Sequence, residues 1–180
     1  MYGMVNRAVE EMVVGAHGEA TWLEIKRRAG VTEELFIGNE PYPDRITFDL
    51  VAAASDLMKI PAESILQSFG EHWVLQTATK GYKHLMAAGG TNLGEFLDNL
   101  PQFHDRVALL YPKLAPPQFE ITERTPTSLH LHYLTHRSGL TAFVEGLVSG
   151  LGKMFHSPVR TTLLQAKAQG ADHDVFLVEW

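Results

Sequence analysis

The stretch from Pro116 to Arg137, Pro116-Pro117-Gln118-Phe119-Glu120-Ile121-Thr122-Glu123-Arg124-Thr125-Pro126-Thr127-Ser128-Leu129-His130-Leu131-His132-Tyr133-Leu134-Thr135-His136-Arg137, is where the chain stops reading as helix and begins to read as sheet. Two successive prolines make a rigid extended break, because neither supplies an N–H and both hold φ near that of an extended chain. Phe119, Ile121 and Glu123 then alternate, Thr125-Pro126-Thr127-Ser128 carries turn chemistry, and a second alternating run follows, so the segment predicts a β-hairpin. If Ser128 to Arg137 is one strand, Leu129, Leu131, Tyr133, Thr135 and Arg137 share a face. Two greasy positions pass there into a phenol, a hydroxyl and a guanidinium fork, a row suited to an amphiphilic ligand that ends in a carboxylate. His130, His132 and His136 occupy the other face, and His-x-His can bind zinc or nickel, although solvated strand histidines explain the same pattern.

Upstream of Pro112 the periodicity is helical. Val5, Val9, Met12 and Val13 recur at helical spacing, with Gly15 and Gly18 expected to end that helix. A short helix is expected from about Thr21 to Ala29, and another from Asp44 to Met58 with Asp44 and Thr47 as possible caps. Pro61 opens a longer one that should carry Ile65, Phe69, His72, Trp73 and Gln76 along one side. From Asn92 to Tyr111 a single stripe runs through Leu93, Leu97, Leu100, His104, Val107 and Tyr111. Pro101 interrupts it, so either that helix kinks or a new one starts with Pro101 in its first turn.

Downstream of the hairpin, an amphipathic helix is expected over Leu140 to Phe155, then strands over Val159 to Ala166 and Val175 to Trp180, joined through Gly170-Ala171-Asp172. The fold class is therefore α+β: about seven helices, then a four-stranded antiparallel sheet with one inserted helix. With 180 residues of which 45% are hydrophobic, one globular unit over 1–180 is expected. Fifteen basic against twenty-one acidic residues give a net charge of −6 without any Lys/Arg block, which argues against a nucleic-acid partner. The opening Met1 to Ala8 lacks the basic and apolar regions of a secretory signal, and polar residues break every apolar run well short of a bilayer span. The expected location is the cytoplasm, away from membranes. Absence of cysteine removes disulfides, thiolate metal sites and thiol redox chemistry.

Several stretches together resemble one family: the opening Met-Tyr-Gly-Met-Val-Asn, Phe69-Gly70-Glu71-His72-Trp73, the Asp98 to Val107 segment with its histidine, Pro116-Pro117-Gln118-Phe119, His132-Tyr133, and Gly170-Ala171-Asp172-His173-Asp174. The chain is similar to haem nitric oxide/oxygen binding (H-NOX) domains, found alone in bacteria and fused to soluble guanylate cyclase in animals. The family's Tyr-x-Ser-x-Arg pattern is present as Tyr133-x-Thr135-x-Arg137, one methyl group away. The resemblance implies haem b (ferrous iron protoporphyrin IX) buried between the helical and sheet parts. It makes His104 the proximal iron ligand and Tyr133, Thr135 and Arg137 the clamp on the propionates. Pro117 is matched to the proline that presses on the porphyrin, although Pro116 is chemically equivalent.

The same resemblance places Val5, Phe69, Trp73, Phe143 and Leu147 on the distal side. Stable oxygen binders of the family carry a distal tyrosine where Phe143 stands. Without that hydroxyl the bound, polarised O₂ loses its donor, while nitric oxide and carbon monoxide lose little. An NO sensor is expected, acting as a regulator and not an enzyme. Breakage of the iron–histidine bond would be its signal to a separate effector such as a histidine kinase or a cyclic-di-GMP enzyme. The alternatives are an O₂-binding member, with the Trp73 indole as donor, and a haem-free interaction domain on the same fold. A peroxidase-like enzyme would need a distal acid–base pair, which this side does not offer.

Overall fold

The computed structural model describes residues 1–111, 113 and 115–180, so the boundary read at Pro112 lies outside the described residues. Eight α-helical segments precede the sheet among them: α1 (Gly3–His17), α2 (Glu19–Ala29), α3 (Asp44–Met58), α4 (Ala62–His72), α5 (Thr79–Gly81), α6 (Lys83–Ala87), α7 (Leu93–Asp98) and α8 (Leu100–Leu110). Strands β1 (Gln118–Thr125) and β2 (Ser128–Leu134) follow, then α9 (Thr141–Met154), β3 (Arg160–Gln165) and β4 (Asp174–Glu179). The sheet is antiparallel in the order β1-β2-β4-β3. The architecture is α+β, as expected.

Four local expectations change. Gly15 does not end α1, which continues to His17 and stops at Gly18 with φ of 83°. Neither Asp44 nor Thr47 caps α3; Pro43 holds that position, and both polar side chains bond to other parts of the chain. The long helix after Pro61 is not uniform, because α4 passes at Trp73 into a π-helical segment, Trp73–Ala78, before α5. The expected stripe divides: Phe69 and Trp73 face an internal cavity, while His72 and Gln76 line a separate surface cleft. Pro101 starts a new helix, with Asn99 as the N-cap of α8.

The fourth change concerns β2. It stops at Leu134, so Thr135 and Arg137 do not extend the strand row. The last pairings are Leu134 with Gln118 and Tyr133 with Asp174, and beyond them the neighbours run out. Pro117 has no N–H to continue the β1 ladder.

The core spans both parts. Leu129, Leu131, Phe176 and Val178 on the inner face of the sheet are fully buried, as are Ile25 and Leu50 on the helices. Helices α4 and α9 meet backbone to backbone. A Cβ on Gly146 would lie 2.0 Å from the Gln67 carbonyl oxygen, and one on Gly70 would lie 2.3 Å from that of Phe143. Glu71 fastens the same seam, accepting from Ser149 Oγ at 2.8 Å and from Lys153 Nζ. Asp174, buried at the start of β4, accepts from Thr141 Oγ1 at 2.6 Å and from the Lys167 N–H at 2.7 Å, which ties the first turn of α9 to the sheet.

Candidate functional site

The apolar cavity lies where the two parts face each other. Val5 on α1, Phe69 at the end of α4, Trp73, and Phe143 and Leu147 on α9 line it from the helical side. His104 on α8, Pro116, Pro117, Tyr133 and Arg137 line it from the other. Phe69 packs at 5.2 Å from Phe143 and edge-on to Trp73 at 6.2 Å, ring centre to ring centre, so the helical wall is a continuous aromatic surface. Thr135 is not among the lining residues. Its hydroxyl accepts from the Arg137 N–H at 3.1 Å.

His104 is the one imidazole on the cavity wall among the described residues. Its Nδ1 lies 3.1 Å from the Leu100 carbonyl oxygen. A carbonyl only accepts, so Nδ1 carries the proton and Nε2 is left with a lone pair. The ring packs 4.6 Å from Phe119, and burial pushes its pKa down to about 4, so the imidazole is neutral near pH 7. A neutral imidazole with its second nitrogen anchored to a carbonyl has the arrangement expected of a metal ligand.

Arg137 sits just past the end of β2 with its guanidinium sunk beneath the surface. Its Nε donates to Asp44 Oδ2 at 2.7 Å and its Nη1 to the Ala115 carbonyl at 2.9 Å. Asp44 also accepts from the amino group of Met1. Burial alone would raise the Asp44 carboxyl, but the Met1 and Arg137 hydrogen bonds outweigh it and hold it below the ordinary range. Ala115 has φ of 45°, a left-handed conformation uncommon for a residue with a Cβ and more so before proline, and the Arg137 bond restrains it beside Pro116 and Pro117. Burial raises the Tyr133 phenol against a hydrogen bond from Thr135, so it remains protonated and able to donate.

The donor set fits a flat, mostly apolar group that carries a metal at its centre and carboxylates at one edge. Haem is such a group. Sequence reasoning missed Asp44 as the partner of Arg137, and also Met4, Tyr82 and Met86 on the cavity wall. Spacing along the chain carried no sign of them. The histidines expected on the wet face of β2 do not gather: His136 lies beyond the strand, and His132 meets His173 instead, Nδ1 to Nε2 at 2.9 Å. Among the described residues no three metal-ligating side chains form a group.

A family model described as Haem-NO-binding matches residues 2–163. The chain belongs to the haem-NO-binding family. Among curated relatives, the soluble guanylate cyclase gcy-34 of Caenorhabditis elegans is 28% identical over 96% of this chain and 26% of its own length. Guanylate cyclase soluble subunit beta-2 of Rattus norvegicus is 32% identical over 64% of this chain and 18% of its own. The chain thus spans about a quarter of the length of the cyclases it matches. The H-NOX protein from S. oneidensis in its Fe(II)NO state superposes with a TM-score of 0.89 at 19% identity, covering 99% of this chain and 98% of that one. Unliganded Fe(II) H-NOX from K. algicida superposes with a TM-score of 0.85 at 21% identity, covering 99% and 96%. These two share the fold. Membership of the family makes the chain a haem-based gas-sensing domain, and no described helix is long and apolar enough to cross a membrane.

Proposed function

We propose that residues 1–180 act as one cytoplasmic sensor of nitric oxide, with carbon monoxide as a second ligand, disfavouring stable O₂ binding. The observation that carries this reading is the His104 tautomer: Nδ1 is committed to the Leu100 carbonyl, and the Nε2 lone pair is left on a cavity whose opposite side carries Val5, Phe69, Phe143 and Leu147, none of which bears a hydroxyl. Haem b would supply a ferrous iron with one position open to a gas. His104 would hold that iron through Nε2, while Arg137 and the Tyr133 phenol receive the carboxylates and Thr135, whose hydroxyl accepts from the Arg137 N–H, completes the clamp by holding Arg137 in place. The 2.7 Å bond to Asp44 supports this role for Arg137, since the fork already grips a carboxylate there. Pro117 would press on the ring from the sheet side.

A polarised oxygen ligand needs a donor that Phe143 lacks, and this favours the less polarised gases. Release of His104 from the iron would let α8 move as a unit. Leu109 and Leu110 at its end are 83% and 62% exposed, so the displacement is presented to a partner. A separate histidine kinase or cyclic-di-GMP enzyme is the effector class we infer. The test is the visible spectrum of the reduced protein without air, with NO, and with air. A shift with NO and no stable oxygen complex is expected; a stable oxygen spectrum would refute the selectivity. His104→Gly should bind haem weakly unless imidazole is added, and an unchanged ferrous spectrum would remove His104 as ligand.

A further inference from the structure

The outer face of the sheet carries a row of polar side chains that the cavity does not use. Leu129, Leu131 and Tyr133 of β2 are buried on the inner face, so His130 and His132 face out, alongside Glu120 and Thr122 of β1. Glu120 is the register partner of His132. His173, just before β4, stands diagonal to it, because His132 pairs with Val175 two residues further on. Thr122, His132 and His173 join in one row: Thr122 Oγ1 lies 2.7 Å from His132 Nε2, and His132 Nδ1 lies 2.9 Å from His173 Nε2. Both rings are half-buried, with centres 5.2 Å apart.

Two ring nitrogens at that distance share one proton, so one donates and the other offers its lone pair. Burial first, then repulsion from His173 and His130, lowers the His132 pKa against the pull of Glu120, and its imidazole is neutral near pH 7. When His132 carries its proton on Nε2, toward Thr122, its Nδ1 is a free lone pair. A shift of the His173 proton from Nε2 to Nδ1 then leaves two lone pairs on one gap, with no proton lost to solvent.

The width of that gap selects among cations. With metal–nitrogen bonds of about 2.0–2.1 Å, nitrogens 2.9 Å apart subtend about 90° at the metal, whereas a tetrahedral angle would part them by about 3.3 Å. Right angles between neighbouring nitrogen ligands belong to square-planar and tetragonal Cu(II) and Ni(II). Histidine rings turn on broad χ2 wells, so both lone pairs can swing to one side of the gap. Glu120 adds negative charge beside the pair, and the chain has no cysteine to draw such a cation elsewhere. No third metal-ligating side chain joins them among the described residues, so water would fill the remaining positions.

We propose that His132 and His173 chelate a tetragonal divalent cation, Cu(II) or Ni(II), on the sheet face away from the cavity. The site stands whether or not the cavity takes haem.

The experiment is calorimetric titration of the full chain with Cu(II), on wild type, His132→Ala, His173→Ala and His136→Ala, with pulsed EPR of the copper on wild type. One Cu(II) should bind, with two imidazoles in its EPR modulation. Loss of either chelating ring should weaken binding by about a hundredfold, the advantage that a second, tethered donor confers. His136→Ala, whose ring lies beyond the strand, should bind as wild type does. One imidazole or none on the copper, unchanged affinity without His132 or His173, or an equal loss in His136→Ala would overturn the chelate. EPR counts the rings on the wild-type protein, so its result decides the matter even where a variant fails to fold.

Discussion

The α4–α9 seam sets the separation of Phe69 from Phe143, so Gly146→Ala is the most direct way to disturb the helical wall of the pocket. The added Cβ would sit 2.0 Å from the Gln67 oxygen, 2.8 Å from its carbonyl carbon and 3.0 Å from its Cα, where ordinary contact begins at 3.4 Å. All three obstacles are backbone, so no side chain can rotate away and the helices must part by roughly 1 Å. Overpacking of this kind costs about 3 kcal/mol, and alanine returns about 1 kcal/mol as a better helix former than glycine. The net loss is about 2 kcal/mol, or roughly 4–8 °C in Tm for a chain of this size. Gly15→Ala is the matched control: also inside a helix but with open space at its Cβ, it should gain up to about 1 kcal/mol. Thermal unfolding followed by far-UV circular dichroism measures both. A Gly146→Ala protein that melts at or above the wild-type temperature would refute the close-packing argument.

Arg137→Ala should release haem to a scavenger at least about tenfold faster, as expected for loss of a charge-assisted bond, whereas His132→Ala should change little; equal effects would exclude a carboxylate clamp. Asp174→Ala should destabilise by about 2 kcal/mol in denaturant unfolding, because Thr141 and the Lys167 N–H lose a buried acceptor. For Glu71, burial raises the carboxyl, but the Lys153 and Ser149 hydrogen bonds prevail and hold it below 4.5. Its contribution is therefore complete above pH 4.5 and lost as pH falls through the lower folded value. Glu71→Gln should flatten that acid slope in a pH series of unfolding midpoints.

Much of this molecule was legible from spacing. The alternation of Phe119 and Ile121, then of Leu129, Leu131 and Tyr133, marked the two hairpin strands, and the stripe ending in His104, Val107 and Tyr111 marked the helix wall that faces the cavity. Pro101 allowed a kink or a new start, and the first-turn geometry of α8 decided for the start. Periodicity could not reveal the π-helical turn at Trp73, because a single inserted residue leaves the apolar pattern on either side intact while rotating one side against the other.

Single elements are encoded locally, through the 3.6- and 2-residue periods that decide which side chains share a face. The sequence by itself therefore determined the α+β order, the inward histidine and the Leu129, Leu131 and Tyr133 row of β2. Only the tertiary structure decided that Arg137 leaves the strand to meet Asp44 across 93 positions, that His132 finds His173 and not His136, and that Gly70 and Gly146 bring two helices into backbone contact. Those contacts join elements far apart in the chain, and their distances come from how whole faces pack rather than from any spacing within one of them.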